Sequence, residues 1–129
     1  MTYQPEVGLV LWTTDIPALA TFLEKVGGLV VEERHPGFAE LSAFNSRIVL
    51  HHDEAGRGHP WYDALTKEGA ARGIGAELRL LVQDVDAAFA MALKLGGRSL
   101  QPPADVGGVR ECQVMGPNGY LLTPWAPIA

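Results

Sequence analysis

A carboxylate and a guanidinium in this sequence are spaced so that they project side by side. Glu77 and Arg79 are two residues apart in the apolar segment 77–81, which has the composition of a strand, and residues two apart in a strand share a face. Two interpretations fit this spacing. The pair is either a solvated ion pair, or Glu77 is free to grip a cationic or amide-bearing ligand.

Few other residues are candidates for a nucleophile or a metal ligand. His51 and His52 are adjacent in a predicted strand, so they face opposite sides and cannot bind one metal ion together. Cys112 is the single cysteine, which excludes an internal disulfide, and its place in a predicted strand favours a buried, inert thiol. The sequence contains neither a Gly-x-x-x-x-Gly-Lys phosphate loop nor a Gly-x-Ser-x-Gly elbow.

Three tryptophans offer flat apolar surface. By strand alternation Trp12 shares a face with Gly8, and Trp125 shares a face with Thr123. Indole rings provide stacking area for a planar ligand, although each ring could equally fill a core or a dimer contact. Trp61 lies in a polar, glycine-rich segment and is a candidate lid residue.

These residues are positioned by an internal repeat. Residues 8–31 and 77–100 align at an offset of 69, with seven identical positions in 24. In each copy a short apolar strand is followed by an Asp suited to cap a helix, by apolar residues at helical spacing, and by a Gly-Gly pair suited to end it. The identical pairs are Leu9/Leu78, Leu11/Leu80, Asp15/Asp84, Ala18/Ala87, Lys25/Lys94, Gly27/Gly96 and Gly28/Gly97.

Three further strands are predicted after each helix, so that each copy is a βαβββ module. The turn 116–119, Gly-Pro-Asn-Gly, has the residues that a tight hairpin requires. We therefore expect a single domain over 1–129, with module one at 5–52, a connector at 53–75 and module two at 76–127. The strands that follow the helices are predicted at 29–34, 38–44, 47–52, 98–101, 109–115 and 120–125, and a short helix at 61–72.

Charge and composition limit the partners. The formal net charge of -5 repels phosphate backbones, which argues against nucleic acid, and mildly favours a cationic ligand. The opening residues lack the basic start and apolar core of a targeting signal, and no apolar run approaches the length of a membrane span. We expect a soluble cytoplasmic protein that does not contact a membrane.

The duplicated pattern resembles the vicinal oxygen chelate superfamily, which includes glyoxalase I, extradiol dioxygenases, and fosfomycin and bleomycin resistance proteins. The likeness lies in the two βαβββ modules, the strand-Asp-helix-Gly-Gly order and the closing hairpin 116–120. It implies an α+β fold in which the modules form a curved, cup-shaped mixed sheet with helices on the outside. In this superfamily the cup is often completed by swapping between the two chains of a dimer.

The resemblance also implies where metal ligands would lie. Metal enzymes of the superfamily use His, Gln or Glu on the first and last strand of each module, and the matching positions here are Gly8, His51, Glu77 and Thr123, with His52 one residue from the second. Glycine has no ligating side chain and a threonine hydroxyl is a weak donor, whereas a catalytic metal normally has three protein ligands. We expect no metal, no cofactor and no catalytic residue.

Within the superfamily, segments 10–17, 48–51 and 109–114 most resemble bleomycin resistance proteins; Gly116, where Asp is common, departs from that pattern. The resemblance implies a metal-independent homodimer that binds and sequesters a planar or cationic small molecule, an antibiotic being one candidate. The alternatives are a metal-dependent glyoxalase-like lyase, isomerase or dioxygenase, and a regulatory or assembly module with an empty cup. The candidate ligand-binding residues are Gly8, Trp12, His51, Trp61, Glu77, Arg79, Thr123 and Trp125.

Overall fold

The computed structural model describes residues 8–128, which form two βαβββ modules. The α+β class and the tandem modules predicted from the sequence are confirmed. Residues 5–7 of the predicted module one lie outside the described part. Module one consists of β1 (Leu9–Thr13), α1 (Ile16–Gly27), β2 (Val30–Arg34), β3 (Phe38–Ala43) and β4 (Ser46–His52). Module two consists of β5 (Glu77–Leu81), α3 (Val85–Lys94), β6 (Arg98–Val106), β7 (Val109–Met115) and β8 (Leu121–Pro127).

Each module contains its own four-stranded mixed sheet. The strand orders are β1-β4-β3-β2 and β5-β8-β7-β6, with the first strand of each module parallel to the last and the other pairs antiparallel. Within residues 8–128 the two sheets share no strand pairing. The mixed-sheet topology therefore matches the expectation, while a single closed cup is not formed by one copy.

The helices begin where the repeat predicts; α1 ends at its Gly-Gly pair, whereas α3 ends at Lys94, two residues before its own pair. Asp15 Oδ1 accepts a hydrogen bond from the backbone N–H of Ala18 at 3.0 Å, and Asp84 Oδ1 accepts one from Ala87 at the same distance. These caps satisfy N–H groups that have no partner within the helix. Gly28 ends α1 in the left-handed conformation, with φ of 73°, which a residue without Cβ adopts readily.

The modules are packed together through their helices. α1 contacts α3 and also the start of the β7–β8 turn, and one cluster of buried apolar residues includes members from both modules. The Phe22 ring of α1 is fully buried at this junction. A Cβ on Gly97 or Gly116 of module two would approach that ring to 3.0 or 2.8 Å. Phe22 therefore fits against module two because both facing residues are glycines.

Two predicted elements differ from the structure. β6 continues past the predicted end at residue 101 to Val106, since Pro102 and Pro103 lie where the register with β7 shifts. A proline lacks the N–H that a central strand needs, but an edge strand with a bulge accommodates it. In the connector, the helix predicted over 61–72 is shorter: a 3-10 helix spans Asp53–Gly56 and α2 spans only Tyr62–Thr66.

Strand alternation divides each sheet into a helix-side face and an open face. In β1 and β4, Leu11, Thr13 and Leu50 point to the helix side and are buried. We define the open face by the residues between them. In module one these include Val10, Trp12, Phe38, Val49 and His51, and in module two Glu77, Arg79, Leu81, Gln113, Thr123 and Trp125.

Candidate ligand-binding site

The open face of module one carries a group of four rings. Trp12 of β1 and His51 of β4 are register partners, and their ring centroids lie 5.0 Å apart. The connector adds Trp61, whose ring centroid is 4.8 Å from that of Trp12, and His59, which stacks on Trp61 at 5.1 Å. We call these four residues the Trp12 cluster. It brings together three residues that the sequence analysis names as candidates: Trp12, His51 and Trp61.

Two further rings continue the group across the sheet. Phe38 of β3 is the register partner of His51, with ring centroids 6.4 Å apart, and His35 stacks on Phe38 at 4.3 Å. Neither residue was among the sequence candidates. The β3 assignment already places Phe38 in a strand, but only the β3–β4 register shows that it lies beside His51.

The backbone of Trp12 is held by the connector and by module two. Its carbonyl oxygen accepts a hydrogen bond from the Tyr120 hydroxyl at 2.6 Å and another from Arg72 Nη1 at 3.0 Å. At the end of the same strand, Asn118 accepts a hydrogen bond from the backbone N–H of Thr14. The β7–β8 turn of module two therefore fixes the end of β1 on which Trp12 lies.

A second group of neighbouring side chains, which is polar, lies on the open face of module two. Glu77 Oε2 accepts a hydrogen bond from the Thr123 hydroxyl and another from Gln113 Nε2 at 2.9 Å. The hydrogen bond from the Thr123 hydroxyl lowers the pKa of the Glu77 carboxyl most. Burial opposes it, but Gln113 and the nearby positive charge of Arg79 help to hold this pKa below its usual range. Glu77 is exposed and therefore presents a full negative charge near neutral pH.

Arg79 pairs with a different carboxylate from the one that the sequence suggests. Its Nη1 lies 3.2 Å from Glu111 Oε2, and its guanidinium lies over the Trp125 ring at 5.8 Å from the centroid. The Glu77–Arg79 ion pair is thus replaced by a Glu111–Arg79 pair, because β7 brings Glu111 opposite Trp125. Arg79 covers one side of Trp125, which leaves Glu77 with neutral hydrogen-bond donors.

Cavities lie beside the free edge of β5. One of about 310 Å³ is lined by Phe44, Leu81 and Trp125 among others, and a larger one of about 540 Å³ adjoins it around Phe44 and Met91. A separate open cavity of about 280 Å³ is lined by Glu77 and other residues of module two. None of these three cavities is lined by a residue of the Trp12 cluster.

The four positions that the superfamily uses for metal do not hold a suitable donor set. Gly8 has no side chain, and a Cβ built on it would meet none of residues 10–128 within 4 Å. The Thr123 hydroxyl donates to Glu77, and His51 packs against Trp12 in the other module. Within residues 8–128, no three His, Cys, Asp or Glu side chains are close enough together to hold a metal ion. The four positions supply one imidazole and one carboxylate, fewer than the usual three ligands. This number is the same whether the positions come together within one chain or between two chains.

Cys112 is a packing residue. It is fully buried on the helix side of β7, and burial raises the pKa of its thiol to about 11. A thiol that stays protonated is a poor nucleophile. The sequence interpretation of an inert buried cysteine agrees with this environment.

Comparisons with known proteins identify the fold. No family model matches the chain, and no curated protein matches it. A glyoxalase/bleomycin resistance protein/dioxygenase family enzyme from Burkholderia phytofirmans PsJN is similar in structure, with a TM-score of 0.76, 21% identity, and coverage of 97% of this chain and 100% of that one. A glyoxalase-related enzyme from Fulvimarina pelagi has a TM-score of 0.73 at 18% identity, covering 98% of this chain and 94% of that one.

A third structure, a glyoxalase/bleomycin resistance protein/dioxygenase from Nocardioides, has a TM-score of 0.67 at 23% identity, covering 99% of this chain and 87% of that one. The fold implied by the resemblance to the vicinal oxygen chelate superfamily is confirmed. Sequence identities at this level support a shared fold, whereas the activity has to be inferred from the site itself. Among the described residues, no helix is both long and apolar enough to span a membrane.

Proposed function

We propose that this protein binds a planar, cationic small molecule without a metal ion, in the manner of bleomycin resistance proteins. The observation that carries the proposal is the Trp12 cluster, which places two indoles and two imidazoles together on a sheet face that one copy leaves open. Indole faces are electron-rich and attract flat or positively charged groups. Beyond its chain neighbour, no described residue lies within 4 Å of a Cβ built on Gly8, which supports room for such a guest.

Glu77 supports the preference for a cation. Its carboxylate remains charged near neutral pH and is hydrogen-bonded by neutral partners, so its charge is not cancelled by an ion pair. The formal net charge of -5 acts in the same direction over longer distances. An antibiotic with a flat ring and a positive charge is the candidate class of ligand, and tolerance to it is the proposed role.

We further propose a homodimer in which module one of one copy faces module two of the other. β1 is paired only with β4, and β5 only with β8, so each has an edge without a strand partner in the described chain. Apolar residues are exposed along these strands: Val10 is 45% exposed and Leu81 is 41% exposed. Free edges with exposed apolar side chains are usually covered. Such a dimer would bring the Trp12 cluster opposite Glu77.

The binding experiment uses two flat tricyclic probes of different charge. Titration calorimetry of the purified protein with 9-aminoacridine, which is cationic, is expected to give tighter binding than with neutral acridone. Trp12→Ala should weaken 9-aminoacridine binding about tenfold, since one stacking face contributes about 1–3 kcal/mol. Glu77→Gln should weaken binding of 9-aminoacridine and leave that of acridone unchanged, whereas Glu24→Gln on α1 should change neither.

Two outcomes contradict the proposal. If Trp12→Ala binds 9-aminoacridine as tightly as the wild-type protein, the stacking site is wrong. If purified protein retains stoichiometric nickel, zinc or iron, the metal-dependent alternative replaces the binding-only function.

A further inference from the structure

The connector forms a loop that is fixed at its neck. Asp53 and Arg72 join its two ends through hydrogen bonds of 2.7 Å (Oδ1 to Nη1) and 2.6 Å (Oδ2 to Nη2), and their side chains are only 7% and 10% exposed. Between them, α2 contributes no buried residue. We call residues 54–71 the flap. It is attached firmly at the neck and packed lightly elsewhere.

The flap places Trp61 against Trp12 at a position that requires a glycine. A Cβ on Gly56 would come within 2.5 Å of Trp61 Cη2 and 3.3 Å of Trp12 Cζ3. Because residue 56 has no side chain, the two indoles pack directly against the backbone of the 3-10 helix Asp53–Gly56. Trp61 is 36% exposed and therefore covers Trp12 while facing solvent itself.

The ring contacts of the Trp12 cluster differ in their geometry and in the elements that contribute the rings. His51 lies beside Trp12 on the sheet, and His59 stacks on Trp61 with an interplanar angle of 9°. Trp12 and Trp61, by contrast, are tilted by 57° and are contributed by different elements. This contact and the longer one between Trp12 and His59, at 6.2 Å, are the ring contacts that join the flap to the sheet.

We propose that Trp12 and Trp61 are the two walls of a slot that accepts one flat aromatic ring system, and that the flap moves to admit it. This inference rests on the proposed function and specifies the part of the ligand that is bound: a single planar, electron-poor heteroaromatic ring system. Two stacking contacts of about 3.5 Å each require walls about 7 Å apart, compared with the present centroid distance of 4.8 Å. A shift of the flap tip by a few ångströms, together with a turn of the Trp61 ring from its present tilt of 57° towards parallel, forms this slot with the neck unchanged.

The position of Trp61 is tested first without any ligand. In a Trp125→Phe background only Trp12 and Trp61 fluoresce, and Gly56→Ala in that background should raise the acrylamide quenching because the new methyl group displaces the Trp61 ring and uncovers Trp12. Gly37→Ala is the matched control, since a Cβ there meets nothing within 4 Å. Equal quenching in the Gly56→Ala and Gly37→Ala proteins would overturn the proposed cover.

The slot is tested by stopped-flow binding of 9-aminoacridine. Trp61→Ala should raise the dissociation rate about tenfold, because one stacking face is lost, and should also raise the association rate, because no ring has to move away first. Trp61→Phe should restore most of the affinity and Trp61→Leu should not. Amantadine, a cation of similar size without a flat face, should bind at least tenfold more weakly than 9-aminoacridine.

The outcomes separate the slot from the proposed function. If Trp12→Ala weakens 9-aminoacridine binding while Trp61→Ala leaves both rates unchanged, the binding function stands and the slot is wrong. If neither variant changes the rates, both are wrong. A lower dissociation constant for Trp61→Ala with an unchanged dissociation rate would mean that Trp61 only blocks Trp12, which also overturns the two-walled slot.

Discussion

Arg72 and Asp53 form a two-point ion pair at the place where the connector leaves and rejoins the body, and Arg72 Nη1 also donates to the carbonyl oxygen of Trp12. One guanidinium thus ties the neck of the flap to the strand that carries the Trp12 cluster. Asp53 favours the charged form of Arg72 and raises its pKa further above the usual value. The position of the indole and the geometry of the flap therefore depend on the same buried pair.

We predict that Asp53→Ala lowers the free energy of unfolding by about 3 kcal/mol, because removing one partner leaves a buried charge without compensation. Urea denaturation followed by far-UV circular dichroism measures the change. The control is Asp63→Ala, which removes an exposed pair with Lys67 and should cost less than about 0.5 kcal/mol. A loss for Asp53→Ala no larger than that of the control would mean that the pair does not hold the neck.

A second prediction concerns the junction between the modules. Gly116→Ala should destabilise the protein by about 1–3 kcal/mol, since its Cβ would lie 2.8 Å from Cε1 of the fully buried Phe22 ring. The φ of Gly116 is −98°, which any residue adopts, so the expected cost is steric. The close approach of the Phe22 ring thus explains why a glycine stands at this position.

Thermal and urea unfolding of Gly116→Ala are compared with those of Gly37→Ala, where a methyl group meets open space. Pairing Gly116→Ala with Phe22→Leu should recover part of the lost stability, because the smaller side chain leaves room for the methyl group. Additive effects of the two substitutions would show that Phe22 is not the neighbour that forbids a side chain.

The modules can be predicted from the sequence because their signals are local. Asp15 and Asp84 cap the helices, the apolar spacing indicates their buried faces, and a Gly-Gly pair lies at or just after the end of each helix. The same local logic ends β6 too early, since Pro102 is a valid strand terminator unless the strand is known to be an edge.

The arrangement of the candidate site cannot be predicted in the same way. Phe38 joins His51 and Trp12 only through the registers of β3, β4 and β1, and Trp61 reaches Trp12 only because the connector folds back over Gly56. Likewise, the sequence places Arg79 beside Glu77, but the partner that Arg79 selects comes from β7. Long-range pairings of this kind depend on sheet register and loop closure, which no short sequence pattern encodes.

A third prediction follows from the lowered pKa of Glu77. Thr123→Val removes the hydroxyl that contributes most to this shift, so the pKa of the Glu77 carboxyl should rise towards its ordinary value of 4.5. The stabilisation from a carboxyl of lowered pKa is present above that ordinary value and is lost as the pH falls through the folded-state pKa. The stability difference between wild type and Thr123→Val should therefore shrink in acid.

Carbon-detected NMR titration of the Glu77 side chain measures this pKa directly. Thr66→Val, which removes an exposed hydroxyl on α2 that bonds to the Tyr62 carbonyl, is the control and should leave the Glu77 titration unchanged. An unchanged Glu77 pKa in Thr123→Val would show that Gln113 and the charge of Arg79 suffice to hold it low.

The last prediction tests the proposed dimer through two leucines of nearly equal exposure. Leu81 is 41% exposed at the end of β5 and lines both cavities beside the free edge, whereas Leu93 is 43% exposed on α3. Light scattering after size-exclusion chromatography is expected to give twice the chain mass of 13.9 kDa for the wild-type protein and for Leu93→Glu. Leu81→Glu should instead elute as a single chain, because the dimer would have to bury a carboxylate without a partner. A dimeric Leu81→Glu protein would place the interface away from the β5 edge, and the Trp12 cluster of one copy would then not face Glu77 of the other.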